Sequence, residues 1–399
     1  MSEPGVVDEL KSFIETEKGA KKNFEDAIEH AKNTKTGAPK QMKQYGIATL
    51  ADFYKYLHDF VHWIPFENLD GSEPYVRMCL MYFIFEQPSV RHYQTQLKPE
   101  TSGQKRYQLS PISQWLVKFA QLQGSFLSSI GSINDSTLAT FTDVTGEKSY
   151  RVDDYIKPDG GWKTFNDFFS RSLKPEKRPI AGKGKDTIVA SPADNKYGGQ
   201  VPISDDGKVN LPDINFKGID WPVKDLIADT GLKDDTFNGG ILIHSFLAPY
   251  DYHRFHAPVS GEVVLSKVIQ AQVYLEVKGN GNEVVPIRRP YHQFKDSNDV
   301  DAPDDPGYQW CQTRGVLVLK TNNYGYVAAI PAGMCQISSV HMTAKVGNNL
   351  EKGDEFGHFL FGGSDMVLLF EKQAKFKYQY GETDYHKFLM GEQFGTLEK

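Results

Sequence analysis

The sequence predicts an α+β protein, with a helical N-terminal domain followed by a β-rich one. Three observations carry this. Up to about residue 122 the apolar residues recur at helical spacing. From Thr187 onward they come in short β-branched runs broken by Gly, Pro, Asn and Asp. Between Gly124 and Thr137 the composition turns to Ser and Gly, the signature of a boundary or long loop. With 399 residues, 39% of them hydrophobic, the chain can bury a sizeable core in more than one domain. We place a helical domain over 1–145 and a second domain over 146–399.

Taken in order, Phe24, Ala27, Ile28 and Ala31 form the first helical stripe. Leu50, Phe53, Tyr54, Leu57, Phe60, Val61 and Ile64 form a longer one, and Ile112, Trp115, Leu116, Phe119 and Leu122 a third. Such one-sided helices need a surface to cover them, so they pack on each other. A short helix is expected over 165–172, with Thr164 as N-cap, Asp167 three residues on, and Phe165, Phe168 and Phe169 turned inward. Strands are expected at Ile188–Ala190, Gly240–Ser245, Gly261–Ile269, Gly315–Lys320, Tyr326–Ile330, Gln336–Val340 and Met366–Phe370, in an antiparallel or mixed sheet. The acidic stretch 296–305 lacks the spacing and glycine of a calcium loop, leaving a solvated loop or a flap over a pocket.

Composition excludes several functions. A net charge of −6 argues against nucleic acid as the partner. The most apolar segment, Met78 to Phe85, is far short of the about 20 residues a spanning helix needs. The start, Met1 to Leu10, is polar and acidic, unlike a secretory signal. Cys79, Cys311 and Cys335 are scattered and form no CxxC pair, which points to a reducing compartment, the cytoplasm, without a zinc site.

Three strings carry chemistry. Ser191-Pro192-Ala193-Asp194 ends a strand, where Asp194 either orients a histidine or caps a turn. Tyr252 to Pro258 holds His253 and His256; residues three apart on a strand face opposite ways, so a shared metal is not expected, and proton transfer competes with simple packing. Phe361-Gly362-Gly363-Ser364 places two glycines before a serine, between apolar runs. Met366 breaks the GxSxG elbow of the serine hydrolases. A tight turn or bulge explains the glycines; so does a strained loop in which Ser364 attacks the carbonyl of Gly363.

Together the strings resemble the phosphatidylserine decarboxylase family. FNDFFSRSLKPEKRPI (165–180) is similar to its FFxRxLKPxxRPI segment, 191–194 to SPAD, YHRFHAP (252–258) to YHRxHxP, and KGDEFGHFLFGGS (352–364) to KGxxxGxFxxGS. The resemblance implies a proenzyme cleaved between Gly363 and Ser364, whose two chains stay associated. It implies a triad in which His256 takes the Ser364 proton and Asp194 supports the imidazole. Ser364 becomes a covalent pyruvoyl group that captures the substrate amine as a Schiff base and accepts the electrons released with carbon dioxide. His253 is implied to assist decarboxylation or reprotonation.

Two departures stand out. Asp365 replaces the Thr or Ser usual after the serine, an added carboxylate that tunes processing or slows it by repelling an oxyanion. The double glycine and helical front resemble the fungal tryptophan decarboxylases of the family, so the substrate expected is a free aromatic L-amino acid. Phosphatidylserine is the alternative, and a non-cleaving binding relative a further one. A carrier domain is disfavoured: 257–264 and 346–354 resemble its hairpins, but no Lys stands at a tip between them.

Overall fold

The computed structural model describes residues 5–97, 108–211, 219–228, 231–286, 307–335, 339–381 and 384–398. Helices come first: α1 (Val6–Thr16), α2 (Ala20–Ala31), α3 (Pro39–Gln44), α4 (Leu50–Val61), α5 (Glu73–Phe85), α6 (Pro111–Leu127), α7 (Asp135–Thr142) and α8 (Phe165–Phe169). The stripes read from sequence lie on α2, α4 and α6 and are mostly buried; Leu50 and Tyr54 are half-buried, Leu122 is exposed, and Ile64 falls beyond the end of α4. Periodicity missed α1, α3, α5 and α7. α1 buries Val6, Val7, Leu10 and Ile14, and the Trp115 indole of α6 donates to the Val6 carbonyl at 2.7 Å. α5 is buried on every side from Met78 to Phe85, so it has no stripe to find.

Two boundaries differ from the sequence reading. α6 runs through Gly124 to Leu127, because a helix interior tolerates one glycine at about 1 kcal/mol. The break comes at 128–134, before Asn134 caps α7 by accepting the Thr137 N–H at 3.0 Å. The Thr164 hydroxyl caps α8 as expected, accepting the Asp167 N–H at 3.0 Å. That helix stops at Phe169, short of residue 172, and the chain turns so that the buried Arg171 guanidinium donates to the carbonyls of Tyr150, Tyr250 and Asp251.

The remainder is β-rich. The first strands are β1 (Ile188–Ala190), β2 (Asn195–Pro202), β3 (Lys208–Leu211), β4 (Ile219–Pro222), β5 (Ile241–Leu247) and β6 (Arg254–His256). Next come β7 (Gly261–Ile269), β8 (Val277–Gly279), β9 (Val284–Pro286), β10 (Arg314–Lys320), β11 (Tyr326–Met334) and β12 (Val340–Met342). The last are β13 (Asn349–Leu350), β14 (Glu355–Phe359), β15 (Gly363–Phe370), β16 (Lys377–Tyr378), β17 (Lys387–Phe388) and β18 (Gln393–Thr396). An eight-stranded antiparallel sheet has the order β13-β7-β10-β11-β15-β5-β2-β17. A smaller sheet, β12-β14-β6, lies beside it. The acidic stretch 296–305 and Gln336–Ser338 lie outside the described residues.

Strand β15 sits between β11 and β5, paired with both along nearly its whole length. Its side chains alternate between two cores. Met366, Leu368 and Phe370 enter a large core that the helices share, while Val367 and Leu369 enter a smaller one with Trp221, Phe237 and Trp310. The β8–β9 hairpin ties the helices to the sheet: Val284 N–H donates to the Gln41 side-chain oxygen at 3.2 Å, and Lys40 N–H to the Asn282 carbonyl at 2.9 Å. No described helix is long and apolar enough to cross a membrane.

Candidate active site

Ser364 is the second residue of β15 and is buried, 1% exposed. The chain reaches it through Gly362, whose φ of +144° is a conformation that side-chain-bearing residues rarely adopt. The glycine requirement read from sequence is therefore a backbone requirement at this position. Across the sheet, Ser364 stands opposite Leu247 at the end of β5. The next four residues turn back sharply, because the Asp251 carboxylate accepts the Ala248 N–H at 2.7 Å and closes the turn. That turn delivers His253.

The His253 ring is wholly buried and lies face to face with Phe169, centroids 3.9 Å apart, while Phe361 meets Phe169 edge-on. Its Nε2 stands 3.2 Å from the Pro249 carbonyl. A carbonyl only accepts, so Nε2 carries the hydrogen and Nδ1 keeps its lone pair. Nδ1 faces the Ser364 hydroxyl at 3.4 Å, a long hydrogen bond of the kind that tightens when a reaction begins. Burial, assisted by the nearby Arg171 cation, pushes the His253 pKa down to about 3. The ring is thus neutral near pH 7, a lone-pair acceptor aimed at a hydroxyl in an apolar enclosure.

His256, three residues on, faces elsewhere. Its Nδ1 donates to the Gly353 carbonyl at 2.8 Å, and its Nε2 accepts from the Tyr252 hydroxyl at 2.9 Å. Burial lowers its pKa as well, against the opposing effect of the Gly353 bond. Asp194 is held by Arg178, whose Nε and Nη2 donate to its two oxygens at 3.1 and 2.8 Å, and by the Met390 N–H at 2.7 Å. The triad expected from the resemblance is therefore not linked by hydrogen bonds here. His253 contacts Ser364, His256 bridges Tyr252 to the Gly353 turn, and Asp194 binds Arg178 and Met390. The physical reason is the strand between the histidines: β6 sends residues three apart to opposite sides.

Asp365 also departs from expectation. Alternation along β15 puts its carboxylate on the face away from Ser364, where the Tyr308 hydroxyl donates to it and His244 Nε2 stands 2.9 Å away. Partnered there, it does not confront an oxyanion formed at Ser364. Sequence reasoning did not assign roles to Phe169, Arg171, Arg178, Tyr252 or Phe361, although all lie within the quoted segments. Tyr252 meets His256 within its own segment, whereas the partners of the others lie in other segments, which spacing does not reveal.

Beside the turn that carries His253 lies a cavity of about 360 Å³, lined by Arg151, Tyr155, Asp194, Lys196, Asp251 and Lys387 among others. The buried Ser364, the lone pair facing it and the aromatic enclosure fit a small ketone made from the serine side chain. No cluster of three or more metal-ligating side chains occurs among the described residues.

A family model described as phosphatidylserine decarboxylase matches residues 165–396. Phosphatidylserine decarboxylase proenzyme 2 of Oryza sativa subsp. japonica is 30% identical over 266 residues, 66% of this chain and 38% of its own length. The proenzyme of Chlamydia muridarum is 33% identical over 228 residues, 57% of this chain and 66% of its own. Proenzyme 3 of Schizosaccharomyces pombe is 32% identical over 214 residues, 54% and 19% of the two chains. This chain thus spans less than two thirds of the length of each.

Proposed function

Because the chain belongs to the phosphatidylserine decarboxylase family, we propose that it is a proenzyme that cuts itself between Gly363 and Ser364 and then decarboxylates an amine-bearing carboxylate. The observation that carries this is the buried Ser364 hydroxyl facing the unprotonated Nδ1 of His253, two residues after Gly362 in its glycine-favouring conformation.

His253 Nδ1 takes the hydroxyl proton as Ser364 Oγ attacks the Gly363 carbonyl carbon. The C–N bond breaks, the Ser364 nitrogen receives a proton, and residues 1–363 are left as an ester on Oγ. Loss of the Ser364 Cα proton then expels the Gly363 carboxylate from Cβ. The resulting enamine tautomerises to an imine, and water hydrolyses it to a ketone with release of ammonia. Bound at the head of residues 364–399, this pyruvoyl group supplies an electrophilic carbonyl for the substrate amine and a sink for the electrons left by carbon dioxide. Phe169 and Phe361 exclude water around it, which favours loss of charge from a carboxylate. His253 remains within reach to return a proton. His256 and Asp194 hold the surrounding turns, His256 through Gly353 and Asp194 through Arg178 and Met390.

The three relatives carry phosphatidylserine in their names, and none names an aromatic amino acid. Phosphatidylserine is accordingly the substrate we propose, ahead of the free aromatic amino acid expected from the sequence. The phosphodiester of such a head group would find Arg151 and Lys196 in the cavity beside the site.

Denaturing mass spectrometry tests the scheme. Wild-type protein should separate into residues 1–363 and 364–399, and Ser364→Ala should stay whole. His253→Ala should slow cleavage by about a hundred-fold or more, the usual worth of a general base, and more than His256→Ala does. The reverse order would give the base role to His256, as the resemblance implies.

A further inference from the structure

We infer that Asn166 is a positioning residue for self-cleavage, holding the scissile segment against the end of helix α6. The inference rests on the proposed self-processing at Ser364. Asn166 lies in α8, 4% exposed. Its Oδ1 accepts the Phe361 N–H at 3.0 Å, and its Nδ2 donates to the Ser128 hydroxyl at 2.8 Å and the Gly124 carbonyl at 3.3 Å. One amide therefore joins the last turn of α6 to the residue that precedes Gly362 and Gly363.

The geometry at Phe361 decides how the next two residues can be presented. Phe361 is pinned twice, by this backbone hydrogen bond and by its ring packed edge-on against Phe165 at 5.2 Å. With the chain direction fixed there and Gly362 at φ +144°, little freedom is left at the carbonyl of Gly363. Released, glycine-rich chain samples many orientations, of which few bring that carbonyl to Oγ. Asn is suited to the position because it alone among short side chains offers an acceptor to Phe361 and donors to α6. The α8 backbone that carries it is also anchored: Phe165 N–H donates to the Ser132 hydroxyl at 2.9 Å, and the Arg254 Nε donates to the Ser170 carbonyl at 2.7 Å. The N-terminal helices thus reach the approach to the reacting bond by a direct hydrogen-bonded link through Asn166, beside the packing of Phe165 on Phe361.

The test compares Asn166→Ala, Asn166→Asp and Ser128→Ala with wild type. The first-order rate of chain cleavage after cell-free synthesis and the urea midpoint are measured for each. Asn166→Ala loses the acceptor for Phe361, and cleavage should slow about ten-fold, the worth of one buried hydrogen bond. Asn166→Asp keeps an oxygen at Phe361 but buries a charge against the Gly124 carbonyl. It should therefore be the least stable variant and yet cleave faster than Asn166→Ala. Ser128→Ala leaves Oδ1 in place and should cleave within about three-fold of wild type. Turnover per cleaved chain should be unchanged in Asn166→Ala. Cleavage rates that follow the order of stability, or Asn166→Ala cleaving at the wild-type rate, overturn the inference. If Asn166→Asp does not fold, Asn166→Ala against Ser128→Ala decides it. Wild type that stays whole would instead remove the self-processing it rests on.

Discussion

At the scale of single residues, the site depends on keeping a histidine neutral. His253 has its pKa near 3 only when folded; released from the fold it titrates near 6.5. As the pH falls below 6.5, the unfolded chain binds a proton that the folded chain refuses, so stability declines until the pH nears 3. His256, lowered by the same burial, acts with the same sign. The urea midpoint should therefore fall between pH 6.5 and 4, and His253→Asn should show a shallower decline. An equal slope in that variant would mean that the ring is not buried neutral. Near neutral pH the Nδ1 lone pair is available without a proton being lost first, so deprotonation of His253 should not limit the cleavage rate between pH 6 and 8.

At the scale of elements, β15 explains how a chain can be cut in its core and remain one body. The proposed break falls between the first two residues of a strand whose neighbours on both sides are long, β11 and β5. Residues 364–399 also supply β16, β17 and β18; β17 pairs with β2, and β18 pairs with β1. Met366, Leu368 and Phe370 are buried in the large core, on the C-terminal side of the proposed break. The two chains should accordingly co-elute in native gel filtration and separate only in denaturant. Separation in native buffer would mean that the sheet does not hold them. The same strand's alternation places the Asp365 carboxylate: one step along β15 moves it to the other side of the sheet, into the company of His244 and Tyr308.

At the scale of the whole molecule, helices and sheet share one large core, and Ser364 lies where they meet: Phe169 covers the His253 ring that faces it, Phe361 packs on Phe169, and Asn166 links the approach to α6. The cavity beside Asp194 and Asp251 adjoins the turn that carries His253. Offered phosphatidylserine in vesicles and free tryptophan in parallel, the cleaved protein should release carbon dioxide from the lipid; release from tryptophan alone would move the substrate to an aromatic amino acid. The sequence by itself determined the α+β order, the helical stripes of α2, α4 and α6, the runs that became β1, β7 and β10, and the glycine-marked serine. Each is a local pattern, set by side-chain periodicity or by backbone freedom at one residue. Only the tertiary structure decided which histidine meets Ser364, where the Asp365 carboxylate points and what holds Asp194. Those are contacts between residues up to 196 positions apart, as Met390 is from Asp194. Their geometry is fixed by strand alternation and a turn closed by Asp251, which spacing along the chain does not encode.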